Sequence, residues 1–79
     1  MKLFLYGNLA EAIGREVELE LAPGATVGAA RRALGDRFPE AALMLRRGVR
    51  GCIDDVIVGD EAIVPEGGAL AFFPPLSGG

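Results

Sequence analysis

The residues best suited to chemistry stand at the end of the chain, where Phe72-Phe73-Pro74-Pro75-Leu76-Ser77 leads into Gly78-Gly79. Read as a chain end, Gly79 offers a free carboxylate on a residue pair without Cβ atoms. Such a pair can thread a narrow channel and take backbone angles closed to other residues. That is useful only if something must reach Gly79, so the expected chemistry is done to this chain, which is itself a substrate.

Composition removes most other sites. There is no histidine, hence neither the commonest base nor the commonest metal ligand, and Cys52 is the only cysteine, which rules out an internal disulfide and a cysteine-based metal site. Ser77 has no histidine to activate it, so a serine hydrolase is excluded; its small size and hydroxyl suit a channel. Cys52, beside Ile53 in an apolar stretch, reads as a small core residue rather than a nucleophile or persulfide carrier. Asp54, Asp55, Asp60 and Glu61 are explained by a turn and a polar loop, and no metal or bound cofactor is expected. The arginines from Arg31 to Arg50 could form a docking surface for an acidic partner, but charge on helix and loop positions is ordinarily a solvated face, and none is singled out.

The elements that must position the tail come from hydrophobic spacing. Lys2 to Tyr6 reads as a strand, and Glu16-Val17-Glu18-Leu19-Glu20-Leu21 alternates strictly, with Val17, Leu19 and Leu21 on one face. Gly7-Asn8 and Gly14-Arg15 are turn signals between them. Leu9 to Ile13 could hold a helical turn, but a plain opening hairpin is the expectation. Pro23-Gly24 ends the second strand. Thr26 can cap a helix from Val27 whose apolar residues Val27, Ala30, Ala33, Leu34 and Phe38 recur at helical spacing, with Pro39 as its stop and Glu40 to Leu45 as a short second helical segment. Gly51-Cys52-Ile53 and Val56-Ile57-Val58 read as short strands around an Asp54-Asp55 turn, and Ala69 to Phe73 as the last strand, entered through a Gly67-Gly68 hairpin.

The expected architecture is a single α+β domain over 1–79, a mixed sheet packed on one main helix, with the first and last strands together in the middle. Apolar residues are 51% of the chain and charged residues 24%, as in a compact domain, and seventy-nine residues leave no room for a second one. The formal charge of -3 argues against nucleic-acid binding. No apolar stretch is long enough to cross a bilayer and the start lacks the pattern of a signal peptide, so no membrane partner and a cytoplasmic location are expected. Beyond the last strand, Pro74 and Pro75 lack amide donors and hold φ near about -65°, so residues 74–79 should project from the sheet. The four residues after Pro75 span about 13–14 Å, enough to enter a deep pocket.

With these features in place, the chain resembles the small sulfur-carrier subunit of molybdopterin synthase, a MoaD-like member of the ubiquitin-like MoaD/ThiS superfamily with a β-grasp fold. The sharp part of the likeness is Ala71-Phe72-Phe73-Pro74-Pro75-Leu76-Ser77-Gly78-Gly79; the Phe-Pro-Pro favours the molybdopterin branch over other carriers that share Gly-Gly. The resemblance implies that an ATP-dependent activating enzyme of the ubiquitin-activating type adenylates the Gly79 carboxylate. Sulfur then replaces AMP to give a thiocarboxylate. A carboxylate is a poor electrophile, and the adenylate supplies the leaving group. It further implies that Pro74, Pro75, Leu76, Ser77 and Gly78 enter the large synthase subunit, in a heterotetramer, to deliver sulfur to cyclic pyranopterin monophosphate for molybdenum cofactor biosynthesis. Catalytic side chains would belong to that subunit, leaving this chain non-catalytic alone. Tyr6, Ile57 and Phe73 fall where the family presents an apolar patch to partners, with core packing as the plain alternative. Gly67-Gly68-Ala69 departs from the family's acidic residue before the last strand. A sulfur carrier for thiamine or transfer-RNA thiolation, and a ubiquitin-like modifier joined to lysines, are the alternative roles.

Overall fold

The two most apolar stretches, near the start and the end of the chain, become neighbouring parallel strands. In the computed structural model, which describes residues 1–75, β1 (Lys2–Leu5) pairs with β5 (Leu70–Phe73), Leu3 opposite Leu70 and Leu5 opposite Phe72. β2 (Glu16–Glu18) lies antiparallel beyond β1. β3 (Arg50–Ile53) lies antiparallel beyond β5, and β4 (Val56–Val58) closes the far edge, giving the order β2-β1-β5-β3-β4. The helices are α1 (Gly7–Ile13), α2 (Val27–Arg37) and α3 (Ala42–Arg46), the last entered through a single 3-10 turn at Pro39–Ala41. The result is the expected mixed sheet on a main helix, α2.

The start of α2 explains how the loop before β5 is held. Thr26 Oγ1 accepts from the Ala29 amide at 3.1 Å, the cap its position in the sequence promised. Two further amides of the first turn are taken by a distant loop, Val27 N–H by the Ala62 carbonyl and Gly28 N–H by the Asp60 carbonyl, both at 2.9 Å. Val27, Ala30 and Leu34 are fully buried against the sheet with Leu3, Leu5, Leu70 and Phe72. Each such large side chain contributes about 1.5–3 kcal/mol by leaving water. Gly51 lets the layers meet closely, because a Cβ there would fall 2.6 Å from Val27 Cγ1.

Four expectations are corrected. The β1–β2 connection is not a plain hairpin loop but a two-turn helix, because Leu9 is fully buried and Ile13, one turn on, packs against the same core. The regular part of the second strand stops at Glu18, although the alternation persists through buried Leu19 and half-buried Leu21. Tyr6 lies just past β1, as the residue that enters α1. The Gly67-Gly68 segment is a turn, with the Gly68 amide on the Pro65 carbonyl at 3.1 Å, but not a hairpin: β5 inserts between β1 and β3 and is not paired with β4.

Arg31 also departs from expectation, since it is not a solvated charge. Its side chain is only 17% exposed. Nη1 donates to the carbonyls of Leu45 at 2.8 Å and Val49 at 2.7 Å, and Nη2 to Asp60 Oδ1 at 2.7 Å. The guanidinium carbon stands 5.3 Å from the Phe72 ring centroid. Nε is buried with no partner among the described residues. One side chain thus joins α2, the end of α3, the approach to β3, the Asp60 loop and β5. Replacing Arg31 by Ala strips two part-buried carbonyls of their donor, a loss expected at about 2–6 kcal/mol from a unit cost of about 1–3 kcal/mol each. Arg31→Lys, which keeps the charge without the fork, should lie between the two. Urea unfolding midpoints check this; an alanine variant within about 0.5 kcal/mol of the parent would contradict it.

Candidate functional site

Adjacent residues on a strand face opposite ways, and β5 uses this to divide two aromatics. Phe72 is fully buried under α2, whereas Phe73 is 38% exposed on the other, open face of the sheet. Cross-strand pairing places Phe4, Ala71, Cys52 and Ile57 in one row across four strands of that face, and sets Arg50 opposite Phe73 in the next. Tyr6 stacks on Phe73 with ring centroids 4.4 Å apart and planes 1° from parallel. Such a pair adds about 0.5–1.5 kcal/mol beyond its area.

Of the three residues expected to form a partner patch, the structure therefore joins Tyr6 to Phe73. It puts Ile57 on the same face two strands away. Ile57 is 61% exposed on edge strand β4, so the core-packing alternative does not hold for it. Phe4, Ala71 and Arg50 also lie on this face, with Lys2, Glu16 and Glu18 toward the β2 edge, and were not singled out from sequence as part of it; counting back by twos from Phe73 and across the register finds them.

The ladder ends at Phe73. Pro74 is half-buried and Pro75 exposed, and neither has an amide to extend the pairing. Leu76, Ser77, Gly78 and Gly79, including the carboxylate expected to react, lie outside the described residues.

Cys52 is buried, as expected of a small residue in an apolar strand, but it does not belong to the core under α2. It lies on the open face, in one row between Ala71 and Ile57. Burial pushes the thiol pKa up, and the Asp55 carboxylate raises it further. The thiol is thus held in its protonated, weakly nucleophilic form. Asp54 and Asp55 make the β3–β4 turn at φ 50° and 69°, a region aspartate tolerates better than most residues. Asp54 also exchanges bonds with Ala69, its amide donating to the Ala69 carbonyl at 3.1 Å and its Oδ1 accepting from the Ala69 amide at 3.2 Å, which ties the turn to the entry of β5. Asp60 is engaged by Arg31. Among the described residues no group of three or more His, Cys, Asp or Glu side chains is placed to hold a metal, and no helix is long and apolar enough to cross a membrane.

Comparison with known proteins agrees with this layout. The model of the ThiS family matches residues 3–79. Among solved structures, the chain is similar to SAMP1 of Haloferax volcanii, with 31% identity and a TM-score of 0.80 over 99% of this chain and 97% of that one. A second structure, of small archaeal modifier protein 1 from H. volcanii, gives 28% and 0.78 over 95% of each chain. A Pyrococcus furiosus protein assigned as molybdopterin converting factor, subunit 1, shares the fold, with 18% identity and a TM-score of 0.78 over 95% of each chain. No curated protein sequence matches. The fold is the β-grasp of these ubiquitin-like proteins.

The covered, protonated thiol makes a specific expectation. At neutral pH, iodoacetamide should alkylate Cys52 at least roughly tenfold more slowly in the folded protein than in urea, and Ile57→Ala, which uncovers it, should narrow the gap. A pKa raised on folding favours the folded state fully below the unfolded thiol value and loses that contribution as pH rises through the folded one. Stability should therefore fall on the alkaline side, and Cys52→Ala should blunt the fall. Equal alkylation rates folded and unfolded would refute the assignment.

Proposed function

The chain belongs to the ThiS family, ubiquitin-like proteins of the sulfur-carrier or modifier type, and from that premise we propose that it is a sulfur carrier whose reactive group is the Gly79 carboxylate. One carboxylate oxygen attacks the α-phosphorus of ATP on a ubiquitin-activating-type enzyme, giving the acyl adenylate and pyrophosphate. A sulfide-level donor then attacks the acyl carbon and expels AMP, leaving a thiocarboxylate. The acceptor we propose is the molybdopterin synthase large subunit, whose active site receives Pro74 to Gly79 and passes the sulfur to cyclic pyranopterin monophosphate. In this reading the open face around Tyr6, Phe73 and Ile57 docks the partners, while their side chains do the catalysis.

The observation that carries the proposal is the continuity of Phe73-Pro74-Pro75 with the central strand. The tail starts from the best-held part of the domain and beside the stacked Tyr6–Phe73 pair. A second reading rests on the 31% identity with SAMP1, and on the description of that H. volcanii protein as a small archaeal modifier protein. Here the same activated Gly79 acylates a lysine amine of another protein. The two readings share activation and divide at the nucleophile.

Incubation with the activating enzyme, ATP and a sulfur source should raise the mass by about sixteen units, the exchange of one oxygen for sulfur. One residue added after Gly79 should abolish the gain, because the carboxylate leaves its required position. A chain that never gains this mass is not a sulfur carrier, and Gly79 recovered on lysine side chains selects the modifier reading. Independently, Phe73→Ala and Ile57→Asp should each weaken binding to the large subunit by roughly thirtyfold or more, as loss of a hot-spot anchor does. Calorimetric titration checks this; binding unchanged in both would remove the open face from the interface.

A further inference from the structure

We propose that Gly7 and Gly48 are positioning residues for the tail. Together they form a two-sided seat in which the rings of Pro74 and Pro75 rest against bare backbone, setting the direction in which the chain leaves the sheet. The two glycines come from separate parts of the fold. Gly7 opens α1 directly after Tyr6, and Gly48 lies between α3 and Val49, whose carbonyl is held by Arg31. A Cβ on Gly7 would fall 2.6 Å from Pro74 Cγ and 3.3 Å from Cδ; one on Gly48 would fall 3.3 Å from Pro75 Cβ and 3.5 Å from Cγ. Consecutive prolines thus meet consecutive supports, one from each neighbouring segment.

Left-handed backbone does not by itself account for these contacts. Gly7 and Gly48 have φ of +60° and +70°, but Gly24 and Gly67 have +80° and +74°, and there a Cβ would meet nothing within 4 Å. Backbone conformation alone favours glycine at Gly24 and Gly67. At Gly7 and Gly48 a second requirement is added, room for a ring. Proline contributes its own fixed φ, so seating both rings removes most of the freedom at the tail's root. Residues after Pro75 then start from a defined direction. This matters when a partner that grips the open face must find Gly79 at a set place.

The inference rests on the reading that the tail is activated at Gly79, so the experiment carries one readout that needs no enzyme. Backbone residual dipolar couplings of Leu76 to Gly79, and contacts between the Gly7 α-protons and the Pro74 ring, report tail direction in the isolated protein. Gly7→Ala should change both, while Gly24→Ala, equally left-handed but facing open space, should leave them as in the parent. In the double variant Gly7→Ala, Pro74→Ala the nearest atom to the new Cβ becomes the one now 3.9 Å away, an ordinary contact, so its couplings should return to those of Pro74→Ala alone. Gly48→Ala should be milder, and Pro75→Ala should not relieve it, because the 3.3 Å contact is with a Cβ that alanine keeps.

In steady-state activation, Gly7→Ala should lower kcat at least roughly tenfold relative to Gly24→Ala with KM little changed, since docking through the open face survives while delivery fails. Indistinguishable couplings and kinetics for Gly7→Ala and Gly24→Ala would overturn the proposal. If Gly7→Ala does not fold, Pro74→Ala with both glycines intact decides: unchanged couplings beyond Pro75 refute the seat, averaged ones support it. If the parent is not activated at all, the functional reading fails and the couplings alone still judge the seat.

Discussion

The carbonyls of Leu45 and Val49 end up against the body of the domain because α3 is only five residues long and the chain turns back at once into β3. Without a donor both would lose water and gain nothing, at a cost that a domain of this size tolerates poorly. The Arg31 guanidinium resolves this from the facing helix, with a fork wide enough for both carbonyls and for Asp60. Much of the architecture depends on that arrangement. It locates the entry to β3, and β3 forms one wall of the slot that β5 fills. It also holds the Asp60 loop across the start of α2, where Asp60 and Ala62 satisfy the helix amides. Phe72 completes the group by lying under the cation.

The same register that buries Phe72 displays Phe73. A slip of β5 by one residue would turn the buried ring outward and the displayed one inward, so stability and partner display cannot be adjusted separately. Parallel pairing with β1 then brings Tyr6 beside Phe73 and, one residue further, Gly7 beside Pro74. The display surface and the root of the tail are therefore outcomes of one strand alignment.

Much of this was legible in the sequence, for a definable reason. β1, β5 and α2 with its Thr26 cap were readable because their apolar residues recur at the period of the element they form. α1 was hidden by Gly7-Asn8 and Gly14-Arg15, which look like hairpin turns, while only Leu9 and Ile13 carry its helical spacing. The tail, including Gly78 and Gly79, was read entirely from residue types. Arg31 was not legible, since a charged residue on a helix says nothing of two carbonyls that a later bend will leave without donors. Ile57 stayed open between core and surface until β4 was known to be an edge. Cys52 was read as a small core residue; it is buried, but outside the core under α2, because its face depends on parity within a strand and hence on the register with Ala71 and Ile57.

β5 is bonded along both edges, to β1 in parallel and to β3 antiparallel, and the tail continues it without a turn among the residues described. Traction on the end of the chain therefore acts along the strand axis. It loads both ladders at once and must shear them together, whereas the same pull on an edge strand such as β4 could open one bond after another. The domain can be hauled by its end, and a machine that draws the tail inward would move the whole body before it unravelled any part of it.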